Sequence, residues 1–199
     1  EKEILATGKN VVVVGGGDTG SDCIGTARRQ GAREIVQIEI LSKPPAQRLA
    51  DNPWPTWPHT LSVSSSQEEG CERLWNVATK AFVGKEGSVE SLRCVRVEWS
   101  DPDEAGQRTL REIPGSDFEI NAELVLLAMG FLHIEHGLLV RELELETDER
   151  GNLRVDTNFM TPVPGVFAAG DSVMGASLVV RSIDSGRLAA AAIDGYLSG

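Results

Sequence analysis

Cysteine is scarce in this 199-residue chain, and its three copies, Cys23, Cys71 and Cys94, are scattered, with no C-x-x-C pair and no histidine at ligand spacing. That pattern offers neither a disulfide framework nor a zinc or iron–sulfur signature within the chain, and it fits reduced thiols in a cytoplasmic protein. Histidine is equally sparse. His59, His133 and His136 lie away from every motif, with no orienting partner in sequence, so they read as exposed or structural and no catalytic or metal-binding residue is assigned. Long apolar runs are missing too: the first eight residues are short and charged, without the core of a signal peptide or membrane helix. Basic charge is in deficit, nineteen Lys and Arg against thirty Asp and Glu, for a net charge of −11. Such a surface repels nucleic-acid phosphates and anionic lipid, so neither nucleic acid nor membrane is an expected partner. An anionic ligand would have to be held mainly by backbone N–H groups and helix dipoles.

What remains is the composition of an ordinary α/β protein, 41% hydrophobic and 25% charged with 21 glycines. Val11–Val14 is an unbroken β-branched run, the signature of a strand buried on both faces of a parallel sheet. Glycines follow at once, then a helical pattern from Asp18 to Gln30 stopped by Gly31, then a second strand from Ile35 to Leu41. This is a βαβ unit. Residues 42–66 are too rich in proline for helix or central strand and read as a long ordered loop or lid, packed on its own sheet through Trp54 and Trp57 or closing over a nucleotide. Cys71 to Phe82 is expected to be a short helix or irregular. Val89 to Trp99 alternates as an antiparallel strand does and returns through a turn at Asp101–Gly106 to Gln107–Ile113. Ala122–Met129 is another buried strand, ending at Gly130. Composition loosens through Arg141–Gly151, and the domains are placed at residues 1–130 and 131–199. Val166–Ala169 reads as a last short strand. From Ser177 a helix carries Leu178, Ile183, Ala189, Ile193 and Leu197 on roughly one apolar face.

Two motifs carry chemistry. Gly15-Gly16-Gly17-Asp18-Thr19-Gly20 satisfies G-x-G-x-x-G between a buried strand and a helix, the context that gives the motif meaning. Gly15 would permit the tight turn, Gly17 the approach of a pyrophosphate to the backbone, and Gly20 close packing of helix on strand, with the anion resting on the helix N-terminus. Glu39, near the end of the second strand, would bond the adenosine ribose and favour NAD. Lys43 and Arg48 would pair with the 2′-phosphate of NADP, and the balance leans weakly to NADP. The second motif is Gly165-Val166-Phe167-Ala168-Ala169-Gly170-Asp171, a strand ending in Gly-Asp ahead of a helix, an arrangement that presents the Asp171 carboxylate to a sugar hydroxyl.

Together, GGGDTGSDC and GVFAAGD resemble the pyridine-nucleotide disulfide reductase-like flavoproteins, in which an NAD(P)H domain is inserted between two halves of an FAD domain. The stretches Ile38–Leu41, Pro44-Pro45, Asp51–Pro58, Phe82–Gly84, Leu127–Phe131 and Ser177–Val180 narrow the resemblance to the glutamate synthase small-subunit family. That resemblance implies a Rossmann-like NAD(P)-binding domain with a central parallel sheet and an antiparallel β excursion, followed by the C-terminal segment of an FAD-binding domain. It implies hydride transfer from NAD(P)H to FAD, then electron transfer through iron–sulfur clusters outside this segment toward a glutamate synthase large subunit or an equivalent acceptor. It also places Gly130, Gly170, Asp171, Ser177, Leu178 and Val179 on the cofactor side. The chain departs from the family pattern at Leu132–Glu135, where a Gly-Pro is usual, at Ala176 in place of glutamine, and at Arg181 in place of tryptophan; all lie on the flavin side. The first half of the FAD domain and the cysteine-rich region are absent from the sequence, so a truncated reductase is expected. The rival functions are an electron-transfer subunit serving another oxidoreductase and a non-catalytic dinucleotide-binding module.

Overall fold

The computed structural model describes residues 3–103 and 105–199. The chain divides into two compact units, Glu1–Met129 and Gly130–Gly199. The first begins with β1 (Asn10–Val14), α1 (Asp18–Arg29) and β2 (Glu34–Glu39), the βαβ unit that the valine run and the glycines predict. Helix α1 carries Asp18 in its first turn and Arg28 and Arg29 in its last, each sign placed against the favourable end of the helix dipole. It stops where Gly31 takes a φ of +81°. Next come α2 (Ser65–Glu68), β3 (Glu72–Trp75), β4 (Val77–Lys85), β5 (Ser88–Trp99), β6 (Leu110–Glu112), β7 (Phe118–Asn121) and β8 (Leu124–Leu127).

Strands β3, β2, β1 and β8 form a four-stranded sheet in that order, and every pair in it is parallel. Side chains alternate between its two faces. Val11, Val13 and Ile35 pack with Ile24 and Ala27 of α1. Val12 and Ile38 pack instead with Val77, Leu92 and Cys94 of the antiparallel strands. In that second sheet β4 and β5 form a hairpin across Glu86-Gly87, both at positive φ (53° and 78°), as a tight two-residue turn requires. β6 and β7 both add to β5. The expected return from Val89–Trp99 into Gln107–Ile113 is thus present.

Three expectations are corrected in this unit. Cys71–Phe82 is neither helix nor irregular: it supplies β3 and the start of β4. Charged Glu72 and Arg73 hid the strand, and they are tolerated because β3 is the sheet's edge. The loop that begins at Ser42 gives way to α2, announced by Ser64 and Gln67 acting as a reciprocal capping box. Its indoles do not pack on the sheet, since Trp54 and Trp57 are each 83% exposed. The loop is tied to itself instead: Asn52 Nδ2 donates to Trp57 O (3.0 Å) and Asn52 Oδ1 accepts from the His59 N–H (2.8 Å).

The second unit holds α3 (Leu138–Glu142), α4 (Asp171–Met174) and α5 (Val179–Ser198). Val166–Ala169 is not a strand; Phe167 alone makes an isolated bridge, to Met160, because no neighbouring strand is there to pair with it among the described residues. Of the apolar face predicted for α5, Ala189 is buried and Ile193 half-buried, but the rest is not. Leu178, Ile183 and Leu197 are exposed, whereas Ser185 and Ala189 are buried. Small side chains let backbone approach the helix, and Ser185 Oγ accepts the Gly170 N–H at 3.0 Å.

Candidate functional site

The turn after β1 is fixed from several sides. The Gly15 N–H donates to the Ile38 carbonyl (2.9 Å), tying the turn to β2. Gly15 has a φ of +120°, and a Cβ there would drive into the Ala128 carbonyl group. A Cβ on Gly16 would collide with the Glu39 carboxylate, and one on Gly20 with the Gly15 carbonyl and the Gln37 amide. Gly17 differs. It is the N-cap of α1, at φ −80°, with no side-chain cap on the helix. A Cβ on it would meet nothing within 4 Å. Gly15 and Gly20 are therefore demanded by backbone packing and Gly16 by the seat of the Glu39 carboxylate, which a side chain there would displace, while Gly17 borders open space at a helix N-terminus whose N–H groups lack a side-chain acceptor. An anion is the natural complement of that end.

Behind the turn stands Gln37, only 2% exposed. Its Nε2 donates to the Gly15 carbonyl (2.9 Å), and its Oε1 accepts from Gln67 Nε2 (2.9 Å), so α2 and the glycine turn are braced through one amide. In front of the turn is a cleft of about 370 Å³ bordered by Gly16, Gly17, Glu39, Leu41, Arg73 and Trp75, among others. Glu39 Oε1 accepts the Leu41 N–H at 3.1 Å, which holds the carboxylate over Gly16.

The other predicted residues are distributed unevenly. Asp18 and Thr19 are exposed in the first turn of α1, and Thr19 borders a separate apolar depression, with Cys23 and Leu126, between α1 and β8. Lys43 is exposed and does not border the cleft. Nor does Arg48, whose Nη1 donates to the carbonyls of Asn52 (3.1 Å) and Thr56 (2.9 Å). Gln37, Arg73 and Trp75 were missed in the sequence. The available signal was strand parity, since the register sets Gln37 beside Arg73 and Glu39 beside Trp75 on one face.

All three cysteines are free. Burial pushes each thiol's pKa up; Asp22 adds to this at Cys23, while Arg73 and Arg28 oppose it at Cys71 and Arg96 opposes it at Cys94. The fold therefore favours the protonated form. Its contribution to stability is complete at neutral pH and is lost as pH climbs through the raised values in alkali. Iodoacetamide is expected to alkylate the folded chain several-fold more slowly than the urea-unfolded chain at neutral pH, because the thiolate is the nucleophile. Equal rates in the two states would contradict the raised values. Among the described residues, no group of three His, Cys, Asp or Glu side chains is arranged to hold a metal.

In the second unit Gly130 has a φ of +89° with open space where a Cβ would stand. Gly170, at φ +68°, leads into Asp171 at the start of α4. Asp171 Oδ1 accepts from Ser182 Oγ (2.8 Å) and, more loosely, Ser177 Oγ (3.5 Å). Ser182 lies in the first turn of α5, whose N-cap, Leu178, has no side-chain acceptor to offer, so this helix start has no side-chain cap while its Ser182 hydroxyl bonds the Asp171 carboxylate.

Residues 1–192 match the family model for pyridine nucleotide-disulphide oxidoreductases. The NADPH glutamate synthase small chain of Mycobacterium tuberculosis strain H37Rv is 49% identical over 196 residues, which is 98% of this chain and 39% of that protein. The NADH glutamate synthase of Schizosaccharomyces pombe is 40% identical over 199 residues, 96% of this chain but 9% of the other. The chain thus spans well under half the length of these curated relatives. Among solved structures, Mycobacterium tuberculosis FprA in complex with NADPH superposes with a TM-score of 0.66 at 16% identity, over 97% of this chain and 53% of that one. At that identity the likeness establishes a shared fold.

Proposed function

This chain belongs to the pyridine nucleotide-disulphide oxidoreductase family, and we propose that residues 1–130 are its NAD(P)H-binding domain and residues 131–199 the C-terminal portion of its FAD-binding domain. The whole protein is an NADPH-dependent flavoprotein oxidoreductase of the glutamate synthase small-chain kind. The observation that carries this is the open space over Gly17 at the uncapped N-terminus of α1, where a side chain would meet nothing within 4 Å. A dinucleotide pyrophosphate fits there, and the Glu39 carboxylate at the end of β2 fits a ribose hydroxyl. On the flavin side Gly170, Asp171, Ser177, Leu178 and Val179 offer a carboxylate beside a helix start that has no side-chain cap, a set suited to a polyhydroxyl chain and an electron-rich ring edge.

When bound, nicotinamide and flavin supply the redox chemistry. The residues of this chain bind, orient and exclude water, and none is assigned a proton-transfer role. Iron–sulfur clusters carried outside this segment, a large subunit as acceptor and a cytoplasmic setting complete the proposal. The large subunit rests on the small-chain relative, the cytoplasmic setting on three unpaired cysteines, and the clusters on the family resemblance of the sequence motifs alone. No helix of the described residues is long and apolar enough to cross a membrane.

Gly17→Val is the direct test. Its backbone is in a region open to any residue and no neighbour obstructs it, so the fold should tolerate valine at roughly the 1 kcal/mol that a poor N-cap costs. NADPH affinity, measured by titration calorimetry, should fall about tenfold to a hundredfold, the equivalent of one or more lost charge-assisted hydrogen bonds. Unchanged affinity would show that the glycine turn is only structural.

A further inference from the structure

One guanidinium in the first unit faces the cleft with nearly all of its hydrogen-bonding capacity unused. Arg73 has five N–H donors, and its single hydrogen bond among the described residues runs from Nη1 to the Ser62 carbonyl at 3.0 Å. Its Nε is buried without a partner, and it forms no ion pair with any described carboxylate. Buried donors are almost always satisfied, and a buried orphan on a charged group calls for an anionic partner more strongly than one on an amide. The group is nevertheless held in place, its carbon 4.7 Å from the centre of the Trp75 ring. Stacking on an indole fixes the guanidinium plane, with Nη2, which has no partner among the described residues, left to meet an anion.

Position supplies the rest. Arg73 and Trp75 share the α1-side face with Gln37 and Glu39, and both border the same cleft as Gly16, Gly17 and Glu39. With the pyrophosphate at the glycine turn and Glu39 on the 3′-hydroxyl of the ribose, which leaves the 2′ position to a phosphate, the next strand outward, β3, flanks the ribose. The two cations nearer in sequence are not available in the same way, since Arg48 is engaged by loop carbonyls and Lys43 does not border the cleft. We propose that Arg73, seated on Trp75, is the specificity residue that receives the 2′-phosphate of NADP(H). The assignment rests on the dinucleotide function proposed above.

The test is calorimetric titration of the full chain with two probes that differ only by the 2′-phosphate, 2′,5′-ADP and 5′-AMP. Wild type should prefer 2′,5′-ADP. Arg73→Gln should lose about tenfold to a hundredfold in affinity for 2′,5′-ADP and distinctly less for 5′-AMP, so that the preference collapses. Arg73→Lys, which keeps the charge but not the fork, should fall between, and it serves alone if the glutamine variant does not fold by circular dichroism. An undiminished preference in both variants, or equal losses for both probes, overturns the assignment and makes Arg73 a strut for the Ser62 segment. If wild type binds neither probe, the dinucleotide function falls and this assignment falls with it.

Discussion

Gly15→Ala is expected to destabilise the first unit by about 2–6 kcal/mol, enough to leave a large share of the chain unfolded under mild conditions. Two separate costs combine. A φ of +120° lies in backbone territory that is close to glycine-only, at about 1–3 kcal/mol for a side-chain-bearing residue. The new methyl would also strike the Ala128 carbonyl, which is backbone of the next strand's end and has no rotamer to escape into; overpacking of this kind costs about 1–3 kcal/mol. Total stability in most domains is only about 5–15 kcal/mol. Urea denaturation followed by circular dichroism gives the result directly, with Gly17→Val as the comparison. If the two variants had equal midpoints, the turn would not have the backbone described.

Gln37→Leu is expected to cost about 2–4 kcal/mol and to weaken dinucleotide binding as well. The leucine nearly matches the volume but leaves the buried Gln67 amide without its acceptor and the half-buried Gly15 carbonyl without its donor. A buried polar group stripped of its partner costs about 1–3 kcal/mol. Gln37→Glu separates donor from shape: an ionised carboxylate still accepts from Gln67 but cannot donate to Gly15, and it also buries a charge, so it should be at least as damaging as leucine. A glutamate variant with wild-type stability would remove the donor role. In either variant the glycine turn is released on the side away from the cleft, so NADPH affinity should drop although Gln37 does not border the cleft.

The sequence made the βαβ unit legible because its signals are local. Four β-branched residues, a glycine run at their end and a helical pattern stopped by Gly31 need no partner to be recognised. The glycine roles were equally readable, since they follow from backbone geometry. What was not legible was everything set by strand pairing across distance. β3 is four residues long, half charged, and joins β2 across a loop of more than twenty residues, so neither periodicity nor composition marks it. Arg73 and Trp75 were hidden with it. Lys43 and Arg48 attracted attention by lying just past β2, but proximity in sequence is a poor guide in a proline-rich loop. Proline offers no N–H, so carbonyls in such a loop lack backbone donors, and Arg48 supplies two of them. In the second unit, the apolar pattern marked Ala189 and Ile193 correctly but overstated the burial of the larger Leu178, Ile183 and Leu197, and it gave no sign of Ser185, which is buried at close backbone approach.

The alternation of β2 and β3 between two faces has an evolutionary consequence. Val36, Ile38 and Leu74 point toward the antiparallel sheet and carry the hydrophobic core, while Gln37, Glu39, Arg73 and Trp75 point the opposite way. Adjacent codons thus answer to different selective demands. Under the assignment proposed for Arg73, a change at position 73 or 75 would alter the nucleotide preferred without displacing Leu74 from the core between the sheets. With Arg73 as the reader of the 2′-phosphate, nucleotide preference would be separable from the core, because β3 is the terminal strand of its sheet.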